Sequence, residues 1–308
     1  MNRIDNAEPL PDRSHIVTEQ RNPGSTGLHR LDPAGIVAVM VREQQAVDAA
    51  FAAAAPAISA FVSAIEDGFW RGGRLVYLGA GTSGRLAVLD ASEIPPTFCL
   101  PPERIIGLIA GGDGSLRASS EGREDETDGA LPELERLGLG PDDAVLGIAA
   151  GGTTPYVRGA VEWAARLPRP PVTGLLTCAP CALPTGCGHL LLLATGPEIL
   201  TGSTRLKAGT ATKLALNAIS TALMVRGGLV YDNLMVNVRA SNVKLRDRAA
   251  RIVGALTDGD REAALRRLDA AGGAVAVAVV MFRRGCDRAA AAALLVAAGG
   301  RLAAVIDD

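Results

Sequence analysis

Basic clusters, long apolar runs and aromatic residues are all scarce in this chain of 308 residues. Lysine and arginine total 31 against 33 aspartate and glutamate, a formal charge of −2 with no basic run. A nucleic-acid-binding surface normally carries clustered Lys and Arg as its electrostatic footprint, so nucleic acid is not an expected partner. Apolar stretches such as Ala274–Phe282 stop well short of the ~20 residues needed to span a bilayer, and no membrane helix is expected. The first eight residues lack the apolar run of a signal peptide, and five cysteines is an odd number. Together these predict a reduced, cytoplasmic protein. Aromatics are only 3% of the chain, yet 48% of it is hydrophobic, enough for the core of a globular protein. The length permits one large domain or two.

Residues 1–30 are polar, carry Pro9, Pro11, Pro23 and Gly24, and show no sustained period, which predicts an irregular arm. Asp32-Pro33 reads as an N-cap followed by proline at the first helical position, and the Ala/Val/Ile-rich stretch to Gly68 reads as helices divided near Pro56. From Arg74 the texture changes to short apolar runs at Leu75–Leu78, Ile105–Ile109, Val145–Ala149, Val172–Leu176 and Leu190–Leu193. Most are followed by Gly/Ser/Thr and then a helical pattern, as βαβ units require, so a parallel sheet with helices on both faces is expected. The interval before Leu190 is too short for a helical crossover. Lys207–Arg226 is the clearest helix, stopped by Gly227-Gly228. Residues 241–308 read as a helical subdomain interrupted at Gly272-Gly273, Gly285 and Gly299-Gly300, with Ala289–Ala293 serving close helix packing. The expected division is therefore an arm (1–30), an α/β domain with flanking helices (31–240) and a C-terminal helical subdomain (241–308).

Gly79–Arg85, with Gly81, Thr82, Ser83 and Gly84, lies between a predicted strand and helix. Glycines let the backbone turn tightly toward an anion, the hydroxyls add donors, and the helix end presents free amides, which suits a phosphate. An ordinary βα turn fits the same residues. No Lys precedes the Ser/Thr, so the nucleotide P-loop pattern is absent. Gly79, Gly81 and Gly84 do have dinucleotide spacing, but Ile105–Ala110 leads into Gly111-Gly112 without the acidic residue that would bind a ribose, which disfavours NAD. Ala149–Pro155, containing Gly151, Gly152, Thr153 and Thr154, repeats the strand-to-helix setting; two such loops at neighbouring strand ends could bound one crevice.

Glu93 and the Glu121–Asp125 cluster, with Glu124, could supply carboxylates that move protons near a sugar, provided their surroundings tune them; each could equally be a solvated acid. Arg123 could simply pair with its neighbours. Cys178, Cys181, Cys187 and His189 resemble a zinc set, but they are crowded into 12 residues beside a predicted strand, which favours structural cysteines and no metal. In Glu198–Thr210, Ser203, Arg205 and Lys207 could close over an anionic substrate, or Ser203 or Thr204 could cap a helix beside surface cations.

Taken in order, Gly79–Arg85, Asp90–Pro96, Gly107–Gly112, Glu121–Asp125, Thr201–Lys213 and Asn233–Val238 resemble the N-acetylmuramic acid 6-phosphate etherases, a family of the SIS (sugar isomerase) superfamily. Thr18, Glu19, Asn22 and Leu31-Asp32 extend the resemblance over about residues 17–308. It implies an SIS-type parallel sheet flanked by helices, a lyase that cleaves the D-lactyl ether of the phosphosugar, and no metal or nicotinamide cofactor. It also implies that Glu93 protonates departing lactate, that Glu124 is the second catalytic carboxylate and removes the C2 proton, and that Thr82-Ser83 cradles phosphate. A carboxylic acid protonated near neutral pH should be buried, so Glu93 is expected beside Ile94 and a Pro95-Pro96 turn.

One departure concerns the second loop. Gly151 and Thr153 stand where the family commonly has serine and arginine, so substrate affinity or orientation could differ. SIS domains usually pair, which implies a homodimer built on the N-terminal helices and the 201–226 segment, with sites near the interface. Related SIS folds also include phosphosugar-binding regulators without activity and aldose–ketose isomerases. Retention of Glu93 and Glu124 favours the etherase.

Overall fold

The computed structural model describes residues 12–118, 120–238 and 242–307. Residues 1–11 of the expected arm therefore lie outside the described residues. Residues 12–31 hold three short 3-10 turns, Val17–Glu19, Pro23–Ser25 and Leu28–Arg30, stitched to the rest of the chain. Asn22 donates to the Pro197 carbonyl at 3.2 Å and Ser25 to that of Ile199 at 2.7 Å.

Helix α1 spans Pro33–Trp70, with the Asp32 carboxylate accepting the Gly35 amide as its N-cap. It is not divided at Pro56. The proline sits on the exposed face, where solvent can serve the carbonyl it leaves without a donor, while Ala54 and Ile58 hold the inner face in the core. By length and composition alone α1 is apolar enough to cross a bilayer. Its inner face, including Val47, Ile58, Phe61 and Phe69, instead packs into a hydrophobic core against later elements.

The sheet contains β1 (Leu75–Gly79), β2 (Ile105–Ile109), β3 (Ala144–Ile148), β4 (Val172–Thr177) and β5 (His189–Leu192), all parallel and ordered β2-β1-β3-β4-β5. These match the five expected runs within a residue or so. Both faces are covered: Leu75 and Tyr77 face one core, Val76 and Leu78 the other. Burial on both faces is why the strands read as continuous apolar runs rather than as alternation. One face packs α1, α2 (Gly81–Phe98) and α5 (Lys207–Arg226); α3 (Leu131–Leu137) and α4 (Pro155–Ala165) cover the other. The short interval between β4 and β5 is crossed by an irregular segment rather than a helix.

After α5, a small hairpin of β6 (Val230–Tyr231) and β7 (Leu234–Met235) leads to α6 (Val243–Thr257), α7 (Arg261–Ala270), α8 (Val275–Arg284), α9 (Arg288–Ala297) and α10 (Ala303–Ile306). These helices share a hydrophobic cluster of their own, and the breaks fall at the glycines expected. The Asn237 side chain donates to the Phe98 carbonyl at the end of α2, tying this region to the sheet domain.

Candidate active site

The chain order reverses direction across the sheet at β1, with β2 on one side and β3 on the other. Open α/β sheets leave a crevice at the carboxyl ends of strands at such a switch point. Here it is a cavity of about 250 Å³ lined by Ala80–Ser83, Glu124, Ala150, Gly151, Thr153 and Thr154, with Arg13, Ile16, Glu19, Gly202 and Thr204. Gly81, Thr82, Ser83, Glu124, Gly151, Thr153 and Thr154 are thus brought together from three separate segments.

The first wall is the start of α2. Ala80 offers no side-chain cap, and the amides of the first turn have no intrahelical acceptor, so the positive end of the helix opens into the cavity. Gly81 adopts φ +53°, the left-handed turn that glycine permits. Gly84 is required for a different reason, since a Cβ there would lie 2.5 Å from Ile109 Cγ1 and 2.6 Å from the Gly79 carbonyl oxygen. It allows α2 to press on β1 and β2 and does not line the cavity. Arg85 donates to the carbonyls of Ser115 and Leu116, anchoring the loop after β2.

The second wall is the turn into α4. Gly152 takes φ +73°, and a Cβ on it would meet Cys181 Sγ at 2.4 Å, so it shapes the turn from behind. Its carbonyl accepts from Arg158. The Glu124 carbonyl accepts the Tyr156 amide at 3.0 Å, fixing the third wall to the second. Arg123 pairs with Glu126 at 2.7 Å, as its neighbours allowed.

Several expected residues lie elsewhere. Glu93 is exposed on α2, and Pro95 and Pro96 continue the helix instead of making a turn, so the expected burial of Glu93 is corrected. One turn earlier on the same helix, Asp90 is buried and accepts from Lys213 at 2.8 Å, clamping α2 to α5 and leaving Glu93 on the outer side. Lys207 is no surface cation: it is 5% exposed, its Nζ 2.9 Å from Glu43, whose carboxylate also accepts from Asn22. The hydrogen bond from Lys207 holds the Glu43 carboxyl below its ordinary range against the opposing effect of burial. Neither Ser203 nor Thr204 caps α5; the buried Glu198 accepts the Lys207 and Ala208 amides at 3.0 and 2.9 Å. Ser203 and Arg205 do not line the cavity, whereas Thr204 and Gly202 do.

Among the described residues no group of three or more His, Cys, Asp or Glu is arranged to hold a metal. Cys178 lies under α5, contacting the Ala208 carbonyl and Thr212, and burial pushes its thiol up to about 12. Cys187 contacts the His189 carbonyl, and the His189 ring packs edge-on to Phe61.

The arm's contribution of Arg13 and Ile16 had no motif to announce it. Glu19 belongs to the Thr18–Asn22 pattern, and Thr204 to the hydroxyl-rich segment Glu198–Thr210. The Thr18 carbonyl accepts the Gly202 amide, the contact that brings arm and segment together at the cavity.

The sequence profile of the glucokinase regulatory protein N-terminal SIS domain matches residues 54–165, the part of the sheet domain that carries the first two walls. That stretch of the chain is similar to an SIS domain. The N-acetylmuramic acid 6-phosphate etherase of Gloeobacter violaceus is 51% identical over 275 residues, 89% of each chain. That of Deinococcus radiodurans is 47% identical over 268 residues, 87% of this chain and 88% of its own. The chain belongs to the N-acetylmuramic acid 6-phosphate etherase family. A phosphoheptose isomerase from Francisella tularensis superposes on 64% of this chain and 99% of its own, at 18% identity and TM-score 0.40.

Proposed function

We propose that the chain is a carbon–oxygen lyase that converts N-acetylmuramic acid 6-phosphate to N-acetylglucosamine 6-phosphate and D-lactate. The observation that carries this reading is the single cavity uniting an open helix N-terminus, hydroxyls of both loops and the Glu124 carboxylate. The start of α2, with Thr82 and Ser83, suits the phosphate, since amides and a helix dipole stabilise an anion there.

Elimination can then follow from the open-chain sugar, whose aldehyde acidifies the C2 proton. Glu124 takes that proton as the C2–C3 double bond forms and the C3–O bond breaks. A carboxylic acid gives its proton to the departing lactate oxygen, and water adds at C3 while a proton returns to C2. Glu93 is our candidate for the acid. Because it is exposed on α2 and absent from the cavity of its own chain, we assign it to the cavity of a second copy in a homodimer. Exposed Val37, Met40 and Val41 on α1 and Leu89 on α2 offer apolar surface for such pairing.

The reaction fits cytoplasmic recycling of peptidoglycan sugars. We treat residues 31–240 as the catalytic domain, with 1–30 as an arm and 241–308 as a helical subdomain. Purified protein should release D-lactate from N-acetylmuramic acid 6-phosphate, and Glu93→Gln and Glu124→Gln should each lower kcat by about a hundredfold or more. Phosphosugar binding with no lactate release by the unmodified protein would overturn the reading in favour of a binding regulator.

A further inference from the structure

The proposed substrate carries two anions, a phosphate and a lactyl carboxylate, and the cavity treats its walls unequally. At α2 the first-turn amides are open. At α4 they are spent: Pro155 has no N–H, Tyr156 donates to the Glu124 carbonyl, and Val157 and Arg158 donate to that of Thr154. The side chains of that wall, Thr153 and Thr154, are neutral, and the cavity already holds two acids, Glu19 and Glu124. An anion placed on the α4 side would therefore meet neutral hydroxyls and loop amides, with no cation and no open helix amide in that wall.

The arm supplies it. Arg13 is the one cation among the described residues lining the cavity, and no ion pair among the described residues commits its guanidinium elsewhere. The turn that carries it is closed by the Ile16 amide donating to the Arg13 carbonyl at 2.9 Å. Ile16 is buried, and its Cγ2 lies 3.6 Å from where a Cβ on Gly151 would be. A cation and an apolar branch thus stand one turn apart against a loop position with no side chain of its own. That pairing matches the lactyl group, a carboxylate and a methyl on one carbon.

We infer that the Arg13–Ile16 turn is the lactyl subsite, with Arg13 binding the substrate carboxylate and Ile16 the methyl. The inference rests on the etherase reading for the identity of the ligand. It makes the arm the element that distinguishes substrate from product, because N-acetylglucosamine 6-phosphate has the phosphate but no lactyl group.

The test compares Arg13→Ala and Arg13→Lys with the unmodified protein. For Arg13→Ala, loss of a charge-assisted contact should raise KM for N-acetylmuramic acid 6-phosphate about tenfold to a hundredfold. Arg13→Lys should recover part of that loss. Competitive inhibition by N-acetylglucosamine 6-phosphate should stay within about twofold, since a contact to the lactyl group alone cannot alter its binding. An unchanged KM would overturn the subsite, and parallel weakening of product inhibition would place Arg13 on the phosphate and overturn it equally. Calorimetry with both sugars on a Glu124→Gln background, with and without Arg13→Ala, separates this from the reaction itself. If the unmodified protein released no lactate, the etherase reading would fall. The subsite would still stand on selective loss of N-acetylmuramic acid 6-phosphate binding, and would fall if both sugars were bound alike by both proteins.

Discussion

Gly84 and Gly81 stand three residues apart and answer to different forces. Gly84→Ala would drive a Cβ into Ile109 and the Gly79 carbonyl oxygen, neither of which has room to yield inside the strand–helix contact. Thermal or urea denaturation should show a loss of about 1–3 kcal/mol, accompanied by a higher KM as the cavity-lining end of α2 shifts. Gly81→Ala meets no atom within 4 Å but must hold φ +53°, so its cost is backbone strain alone, about 1–2 kcal/mol. The dinucleotide-like spacing of Gly79, Gly81 and Gly84 is thus met by a turn and a close packing contact, which demand glycine whatever the ligand. The same limit explains Lys207. A lysine beside hydroxyls reads as a ligand for an anion, yet its partner Glu43 is 164 residues away in sequence, and no local pattern announces so distant an ion pair.

At the level of elements, the sheet was legible because each strand is a short apolar run buried on both faces, and α5 because its apolar period ends on a glycine pair. The junctions between elements were not. The continuity of α1 through Pro56 depends on which face the proline occupies, and the N-terminus of α5 is capped by Glu198 from the preceding loop rather than by a local hydroxyl. The Glu43–Lys207 pair, with Asn22, joins α1, α5 and the arm at one buried point. Lys207 holds the folded carboxyl of Glu43 below its ordinary value of 4.5. Its contribution is therefore complete above that pH and is lost as the pH falls through the lower folded value. Glu43→Gln should destabilise the protein at pH 7 by about 3 kcal/mol or more, since it strands a buried ammonium. The difference from the unmodified protein should shrink as the pH is lowered below 4.5. Denaturation at a series of pH values checks this, and a pH-independent difference would remove the ion pair from the explanation.

On the scale of the whole molecule, the two carboxylates assigned to catalysis do not meet within one chain: Glu124 lines the cavity, while Glu93 faces outward on α2. Sequence motifs can mark both as acids, but whether and how they converge is not encoded in any local pattern of a single sequence. If a second copy completes each site, Glu93→Gln and Glu124→Gln are defects in complementary halves. Mixing the two inactive proteins and allowing subunits to exchange would produce heterodimers in which one of the two sites retains both carboxylates. Random pairing makes half the dimers mixed, so the mixture should recover about a quarter of the unmodified rate, rising from zero with the kinetics of exchange. Sedimentation at micromolar concentration should show a dimer throughout. A mixture that exchanges subunits, verified by tagging one variant, yet releases no D-lactate would return Glu93 to its own chain. It would then require α2 to rotate that carboxylate inward on substrate binding.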